Sequence, residues 1–477
     1  MKRIVILFLF IAFSYSAISV DCETCTGLPG SGTADDPYRI EDIDDLREFM
    51  RPETLSCSSC YWDAHIILMA DIDWFDACES LATPIGDMYT PFTGTFDGNS
   101  YTISNLRYGT YDYTGFFGLI GTTGFVHDLT LKNLSVLQAG DNIPNNGPTQ
   151  DYIGGIAGAN FGKIHSCYVD GSMYGYSFVG GAVGANLGEI LNTHADCRVY
   201  GAEAVGGFVG SNGYIQQDRD QIPNKPTVEV NKLIKNCSAK GNVTGYSLVD
   251  DPPNNILNGN SYQGEGIGGF AGINSKVDPN DAFNEIAQNG SYDCSESEYE
   301  IIECYCTGNV EGLGPVGGFV GANVCEHIES CYSTGNAMGY QYVGGFVGGA
   351  VSDGSIDYSY AYGSASGNSD FGGFTGINYG NGYTCDFWNT SVNSTAVGYS
   401  VTTPDPPSGL SGLSQSEFAD MSNFTCMTDD RPGVWTRGNV SPILNGTTVP
   451  TLTEWAVIIF IGLLAGVGGW FVWRRMI

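Results

Sequence analysis

Seven Gly-Gly pairs recur at equivalent positions along the chain, with a period near 27 residues that is twice lengthened by insertions. Their first glycines stand at positions 154, 180, 206, 268, 317, 344 and 372, so the intervals are 26, 26, 62, 49, 27 and 28 residues. The long intervals contain polar, Pro- and Asn-rich segments at residues 216–227, 250–260 and 278–298. A fixed period with loop insertions is typical of a solenoid, in which each repeat packs only against its neighbours.

Each repeat also contains a segment in which small and larger polar residues alternate. Between positions 331 and 337, Cys331, Ser333, Gly335 and Ala337 alternate with Tyr332, Thr334 and Asn336. Successive side chains of a strand point to opposite faces, so the small set is predicted to point inward and the larger set outward. Each repeat therefore supplies at least two short strands, and stacked repeats place equivalent strands about 4.8 Å apart.

The glycine pairs and a recurring Asn have a structural explanation in such a stack. Glycine allows close backbone approach, which predicts a slim interior filled by small side chains. Asn follows the Gly-Gly strand in six repeats, at positions 160, 186, 212, 274, 323 and 378, and stacked Asn side chains are expected to hydrogen-bond along the axis. A phosphate-binding loop needs Lys and then Ser or Thr after glycine, whereas Gly162 and Lys163 are followed by Ile164.

These features predict an all-β fold, a parallel right-handed β-helix. Ile40, Ile43, Leu46 and Phe49 follow a helical period, which predicts a short amphipathic helix that caps the first rung. Residues 412–424 are expected to cap the opposite edge.

Both ends of the chain have the pattern of targeting segments. Residues 1–19 combine a basic start, an apolar run and small residues, which predicts a secretory signal peptide. Residues 456–473 form an uncharged apolar stretch of 18 residues followed by Arg474 and Arg475. This stretch predicts a C-terminal transmembrane helix, with the C-terminus in the cytoplasm and the rest of the chain outside.

The charge balance excludes nucleic acid as a partner. The chain has 19 Lys and Arg residues against 52 Asp and Glu residues, and its formal net charge is −33. No Lys or Arg stands between Lys276 and Arg431, where 20 acidic residues lie. A surface of this kind repels phosphate backbones and anionic headgroups, and it suits water, divalent cations or a cationic partner.

The repeats resemble a known family. "VGGFVGAN" (316–323) and its variants are similar to the GLUG motif of secreted bacterial proteins, and the preamble at residues 30–49, 69–74, 92–106 and 114–121 is similar too. The resemblance covers roughly residues 28–400. It implies a β-solenoid of an adhesin-like, surface or biofilm-associated protein. The family also occurs beside the catalytic part of immunoglobulin-cleaving metalloproteases.

The C-terminus resembles a second family. "VPTLTEWA" (449–456), an apolar stretch and two Arg residues are similar to the IPTL-type sorting signal of Gram-negative bacteria, with Val449 and Thr453 departing from the usual residues. The resemblance implies export through the inner membrane, temporary anchoring there, recognition by a dedicated sorting protease and delivery to the cell envelope, the surface or the outside. The residues that carry it are Pro450, Thr451, Leu452, Glu454, Trp455, Arg474 and Arg475.

No catalytic motif of a hydrolase stands out, and no catalytic residue or cofactor is assigned. His327 lacks a second His one helical turn away, so the protease activity found in the GLUG family does not carry over. A lyase-like site would need clustered carboxylates near Arg39, Arg107 or Lys132. Asp71 and Asp73 offer oxygen ligands for Ca²⁺, although a solvated turn is the favoured interpretation.

The 15 cysteines fall mainly into two groups. The N-terminal group, with two C-x-x-C pairs, predicts disulfides in an oxidising compartment, with a zinc site as the alternative; its members are Cys22, Cys25, Cys57, Cys60 and Cys78. The second group occupies one repeat position and is expected to form an inward column of free thiols; its members are Cys167, Cys237, Cys304 and Cys331.

The sequence thus predicts five segments: a signal peptide (1–19), an N-terminal cap with the first rungs (20–110), the repeat β-helix (111–400), a C-terminal cap or linker (401–448) and the sorting signal (449–477). The favoured function is adhesion or structure at the surface. Outward rows that include Tyr332, Tyr360 and Asn309 would contact polysaccharide or a surface protein. The alternatives are a carbohydrate-active enzyme, a lyase or hydrolase, on the same scaffold, and a purely structural stalk.

Overall fold

The computed structural model describes most of the repeat region and its flanks. The described residues are 27–50, 61–77, 81–109, 111–136, 151–215, 232–245, 266–279, 281, 282, 285, 292, 299–351, 354–380, 382–400, 406–438 and 441–444. The predicted signal peptide and the predicted sorting signal lie outside them.

The described chain forms a parallel β-solenoid with four sheets, as the repeat predicts. One turn runs through sheets A, B, C and D in that order and then enters sheet A again, one rung farther along. Residues 163–165, 168–174, 177–180 and 183–186 make one such turn, and residues 189–191 begin the next. Each repeat therefore supplies four strands or more, where the sequence predicted at least two.

Sheet A has 11 strands, sheet B has 16, sheet C has 7 and sheet D has 9. The strands of sheet A are Tyr38–Ile40, His65–Leu68, Thr95–Asp97, Phe125–His127, Lys163–His165, Glu189–Leu191, Leu233–Lys235, Glu300–Ile302, His327–Glu329, Ser355–Asp357 and Gly382–Thr384. Those of sheet B are Ile72–Asp73, Thr102–Ser104, Arg107–Tyr108, Thr130–Val136, Tyr168–Tyr174, His194–Gly201, Ser238–Ala239, Val243–Gly245, Tyr305–Cys306, Val310–Glu311, Tyr332–Ser333, Ala337–Met338, Tyr360–Ala361, Ala365–Ser366, Asp386–Asn389 and Leu410–Leu413.

The strands of sheet C are Asp151–Ile153, Ser177–Gly180, Glu203–Gly206, Ile267–Gly268, Val316–Gly317, Gln341–Gly344 and Ser369–Gly372. Those of sheet D are Phe117–Ile120, Ala157–Asn160, Val183–Asn186, Val209–Asn212, Ala271–Asn274, Val320–Val324, Val347–Val351, Thr375–Tyr379 and Val397–Ser400. A separate antiparallel hairpin joins Trp435–Arg437 to Pro442–Leu444.

The strand register is kept across the insertions. Asn186 pairs with Asn212 after 26 residues, and Asn212 pairs with Asn274 after 62 residues. The strands on either side of the insertions therefore keep the register of the repeat, which confirms the solenoid prediction.

The interior contains larger side chains than the sequence predicted. Sheet A contributes a column of branched and aromatic residues that are almost fully buried: Ile66, Phe96, Val126, Ile164, Ile190, Ile234, Ile301, Ile328 and Ile356. The Phe of the Gly-Gly-Phe motif also points inward, and its ring stacks on that of the next rung at 4.8 to 5.0 Å in Phe208, Phe270, Phe319, Phe346 and Phe374. The expectation of a core of small side chains alone was wrong, because Ile and Phe columns fill the interior beside the small residues.

The glycine pair is required by two close backbone contacts, one for each glycine. A Cβ atom on Gly344 would lie 1.9 Å from the carbonyl oxygen of Val347 in the same rung. A Cβ atom on Gly345 would lie 2.2 Å from the carbonyl oxygen of Gly373 in the next rung. The pair therefore serves a tight corner and the approach of successive rungs, as the sequence predicted.

Five of the six recurring Asn residues form a buried ladder, which confirms the expected hydrogen bonding along the axis for those five; Asn378 is separated from them by Ala350. The side-chain amide of each donates to the side-chain oxygen of the next at 2.8 to 2.9 Å, through Asn160, Asn186, Asn212, Asn274 and Asn323. All five are completely buried, so these bonds satisfy groups that water cannot reach. Ala350 follows in the column and interrupts it, and Asn323 donates instead to the carbonyl oxygen of Glu326 at 2.9 Å.

The cysteine column is also confirmed, and its thiols are buried and free. The backbone N–H of Cys237 donates to Sγ of Cys304, and that of Cys304 donates to Sγ of Cys331, both at 3.4 Å. Thr193 and Ser359 occupy the same column and hydrogen-bond in the same way. Burial raises the pKa of Cys167 to about 12, so the thiol there is neutral at physiological pH.

The predicted capping helix is present as α1, Ile43–Met50, and its buried face covers the first rungs. The side chain of Asp42 caps its first turn by accepting the N–H of Asp44 at 2.9 Å. The ring of Phe49 stacks on Phe96 at 5.8 Å. Ile40, which the helical period included, lies instead in the first strand of sheet A.

We expect Gly345→Ala to destabilise the solenoid, because the added methyl group would meet a backbone carbonyl that cannot move without shifting a rung. The loss should be about 3 kcal/mol in the free energy of unfolding, measured as a lower thermal midpoint by circular dichroism. The matched control is Gly382→Ala, since a Cβ atom there would have no neighbour nearer than 3.8 Å. Equal midpoints for the two variants would contradict this role of the pair.

We expect Asn212→Ala to be destabilising by about 2 kcal/mol, because it leaves an amide of Asn186 and an oxygen of Asn274 with a missing partner in the core. Asn336→Ala is the control, since Asn336 also bonds to the neighbouring rung but is exposed to water. Thermal unfolding of both variants measures the difference. A loss no larger for the buried site than for the exposed one would show that the ladder adds no stability.

Candidate ligand-binding surfaces

An aromatic row follows the outer face of sheet B over three rungs. The rings of Tyr305, Tyr332 and Tyr360 stack face to face at 4.9 and 5.1 Å. The row arises because the register places Tyr332 between Tyr305 and Tyr360 on neighbouring strands. The alternation in the sequence therefore predicted correctly that these side chains leave the interior.

The aromatic row is nevertheless covered by the chain itself. After the last strand of sheet B, the chain forms α2 (Gln415–Phe418), a 3-10 helix (Met421–Phe424), α3 (Thr425–Asp430) and the hairpin. We call residues 414–444 the strap. Its apolar side chains pack on the row, with centroid distances to the Tyr360 ring of 5.6 Å for Phe418 and 5.8 Å for Trp435.

Two predictions from the sequence are therefore wrong. Tyr332 and Tyr360 are only 5% and 0% exposed, so they cannot contact a polysaccharide. The Tyr360 hydroxyl donates to the carbonyl oxygen of Pro442 at 2.5 Å. Residues 412–424 were expected to cap the open end, but beyond the final strand they lie along the side of the stack. The physical reason is that the row offers Phe418 and Trp435 aromatic surface on which to bury their own apolar side chains.

A disulfide, an ion pair and a cation–π contact also fasten the strap, in addition to its apolar packing and the hydrogen bond from Tyr360. A disulfide joins Cys385, in the last turn of the solenoid, to Cys426 in α3. The guanidinium of Arg431 pairs with the carboxylate of Glu329 and lies 5.0 Å from the ring of Tyr358. These residues were not predicted from the sequence. Two features could have indicated them: Cys385 and Cys426 belong to neither cysteine group, and Arg431 ends the long stretch without Lys or Arg.

A polar row remains exposed on the second half of sheet B. Asn309 is exposed, as predicted, and its side-chain oxygen accepts the N–H of Asn336 at 2.9 Å. Its own N–H donates to the side chain of Asn242 at 3.0 Å. This row is uncharged and regularly spaced, which suits hydrogen bonding to a repeating polar ligand.

The outer face of sheet A collects four of the five histidines. His65, His127, His165 and His327 all lie on its outward positions, and carboxylates approach three of them. His165 contacts Glu189 at 2.7 Å, and His327 contacts Glu329 at 3.3 Å. No spacing in the sequence revealed this grouping, because the histidines belong to different turns.

The groups required for a lyase-like site do not converge within the described residues. Arg39 pairs with two carboxylates, Asp36 at 3.1 Å and Glu41 at 3.4 Å, on its own exposed edge. Arg107 and Lys132 are exposed on strands of sheet B and make no ion pair within the described part of the chain.

Around His327, the carboxylates of Glu329 and Asp357 approach opposite nitrogens of the imidazole ring. Arg431 brings a cation to this group from outside the stretch that lacks Lys and Arg, and it is paired with Glu329. Asp357 lies 3.5 Å from His327. The nearby carboxylate of Asp386 is completely buried and accepts the N–H groups of Ser359 and Thr384, and burial raises its pKa.

Asp71 and Asp73 act as hydrogen-bond acceptors between the first rungs. Asp71 accepts the N–H of Thr102 at 2.7 Å, and Asp73 accepts the side-chain amide of Asn105 at 2.7 Å. These hydrogen bonds give Asp71 and Asp73 a structural role, in addition to the Ca²⁺ binding that was considered from the sequence.

The remaining predicted site residues lie outside the described residues. They are the N-terminal cysteines Cys22, Cys25, Cys57, Cys60 and Cys78 and the sorting residues Pro450, Thr451, Leu452, Glu454, Trp455, Arg474 and Arg475. The predicted transmembrane helix at 456–473 is also outside. In the part of the chain that is described, no helix has the length and apolar character to cross a bilayer.

Comparison with known proteins gives partial relatives. No protein-family model matches the chain. Halomucin of Haloquadratum walsbyi is 34% identical over 157 residues, which cover 31% of this chain and 2% of halomucin. A protein of Evansella cellulosilytica named "Putative Gly-rich membrane protein" is 30% identical over 175 residues, which cover 35% of this chain and 18% of that protein. The chain thus corresponds to a small part of either relative.

One solved structure aligns along most of the chain. It is the crystal structure named for a "putative immunoglobulin A1 protease" from Bacteroides ovatus, with a TM-score of 0.39 and 18% identity, covering 88% of this chain and 99% of that chain.

We expect the disulfide to hold the strap on the aromatic row. In the double variant Cys385→Ser/Cys426→Ser, the strap should open more often, and limited proteolysis within residues 414–444 should accelerate by roughly tenfold. The control is Cys331→Ser, a free thiol whose column already contains Ser359. An unchanged cleavage rate in the double variant would show that the aromatic packing and Arg431 hold the strap without the disulfide.

Proposed function

We propose that this protein is an exported, surface-directed solenoid with an adhesive or spacing role. The observation that carries the proposal is the continuous in-register stack. Its 11 strands in sheet A correspond to a body about 50 Å long at the usual strand spacing. Such a body presents the same side chains at regular intervals along each face.

The ligand we propose is an extracellular polysaccharide or a surface protein. The binding faces are the outer face of sheet A and the Asn row of sheet B, since the aromatic row is covered. Both faces offer hydrogen-bonding groups at the strand spacing, which fits a chain-like polar ligand. The partial relatives support a place at the cell surface, because one is named as a membrane protein.

The sequence resemblances extend this proposal to the route by which the protein reaches the cell surface. The similarity to GLUG proteins supports a secreted scaffold, and the similarity of residues 449–477 to the IPTL-type signal supports membrane anchoring followed by a sorting protease. Under this proposal the signal peptide exports residues 20–448, and the mature form resides in the envelope, on the surface or outside.

The test combines binding with localisation. The protein ending at residue 448 should bind specific glycans on an array or bind whole cells, and Asn309→Ala/Asn336→Ala should weaken that binding at least severalfold if the Asn row contributes. Deleting residues 449–477 should move the protein from the envelope fraction to the medium. Absence of binding to glycans, matrix and cells would favour the purely structural stalk, and an unchanged location would remove the sorting proposal.

A carbohydrate-active enzyme is the second candidate, and the cluster of His327, Glu329, Asp357 and Arg431 is the observation that favours it. The discriminating experiment incubates the protein with polysaccharides and measures new reducing ends or unsaturated products. An enzyme should lose this activity in Asp357→Asn, whereas an adhesin should show no product with either protein.

A further inference from the structure

His127 differs from the other histidines in how its carboxylates are placed. Asp128 Oδ2 lies 2.8 Å and Asp97 Oδ1 lies 3.6 Å from the same ring nitrogen, Nδ1. At His327, by contrast, Glu329 approaches Nε2 and Asp357 approaches Nδ1, on opposite sides of the ring. Within the described residues, His127 is the one histidine with two carboxylates close to a single ring nitrogen.

The solenoid register builds this convergence from two neighbouring rungs. Asp97 ends one strand of sheet A, and its register partner on the next strand is His127. Asp128 follows at the corner, in the left-handed conformation with φ of 53°, which directs the chain from sheet A to sheet B. The site therefore combines one ligand from one rung with two from the next.

Local contacts restrict two of the three side chains, and the third, Asp128, is the most exposed at 49%. Asp97 Oδ1 accepts the N–H of Asn99 at 2.7 Å, which fixes the carboxylate. The ring of Phe125, two residues before His127, packs against the imidazole at 4.6 Å. The side chains of Asp97 and His127 are 33% and 22% exposed, so the group is accessible from solvent and partly shielded by its neighbours.

The donor set selects a class of ion. The three donor atoms lie within 4.8 Å of one another, and ligands of one zinc ion are separated by roughly 3.4 Å when each bond is about 2.1 Å. Imidazole with carboxylates suits borderline ions such as Zn²⁺, Ni²⁺ and Cu²⁺, whereas Ca²⁺ takes oxygen ligands alone. Two carboxylates also supply the negative charge that a divalent ion neutralises.

We propose that Asp97, His127 and Asp128 form a binding site for a divalent transition-metal ion. The ion takes the lone pair of the Nδ1 nitrogen and one oxygen from each carboxylate, and solvent fills the remaining positions. Because the ligands belong to two rungs, the bound ion ties the strands Thr95–Asp97 and Phe125–His127 together. This proposal is independent of the adhesive function.

The test is a titration of the whole exported chain with Zn²⁺ by calorimetry, and with Co²⁺ by visible absorption, which reports the ligand geometry directly. We expect His127→Ala to weaken Zn²⁺ binding at this site by tenfold or more, and Asp97→Asn to weaken it severalfold. The matched control is His165→Ala, which removes the neighbouring histidine of the same column and leaves the three donors intact.

The quantity compared is the difference between the wild type and His127→Ala, so any contribution of the N-terminal cysteines cancels. Circular dichroism checks that each variant keeps the fold. The site is supported when His127→Ala, unlike His165→Ala, loses one equivalent of bound Zn²⁺ and the Co²⁺ absorption bands. Equal weakening in His165→Ala, an unchanged affinity in His127→Ala, or stronger binding of Ca²⁺ than of Zn²⁺ would overturn it.

Discussion

The structure depends on one constraint, the exact repetition of backbone hydrogen bonds from rung to rung. Parallel in-register pairing places equivalent residues directly above one another, so each position becomes a column of one chemistry. Asn donates to Asn, Phe stacks on Phe, and thiols follow thiols or hydroxyls. The glycine pair permits this repetition, because it lets one corner close and lets neighbouring carbonyls approach where a side chain would hold the rungs apart.

The same repetition also stacks aromatic side chains in a row on the outer face of sheet B, and the strap covers that row. A stacked row of Tyr305, Tyr332 and Tyr360 would leave a continuous apolar strip in contact with water. Such strips favour association with other chains. The strap buries it with Phe418 and Trp435, and the ion pair of Arg431 with Glu329 brings a cation to a part of the surface that has none of its own.

Much of the fold could be predicted from the sequence, because a repeat reports its own geometry. The period predicted the successive rungs, the alternation from Cys331 to Ala337 predicted which side chains face inward and outward, and the recurring Asn predicted the hydrogen-bonded ladder. The covering of Tyr360 could not be predicted, since its partner Pro442 lies 82 residues away outside the repeat. The grouping of Asp97 with His127 was equally hidden, because it exists only once the register of two strands is known. Inward Phe rings were missed because the glycines beside them suggested a narrower interior.

The Asn ladder gives the solenoid a direction. Each side-chain amide from Asn160 to Asn274 donates toward the C-terminal end, and Asn323 continues with a bond to a backbone carbonyl. Aligned amide dipoles add along a line, as they do in an α-helix, and each polarises the next. The buried ladder is therefore a row of aligned amide dipoles, in a stack whose sheets have almost no net dipole of their own. Ala350 ends that alignment, so the two ends of the protein differ in polarity as well as in sequence.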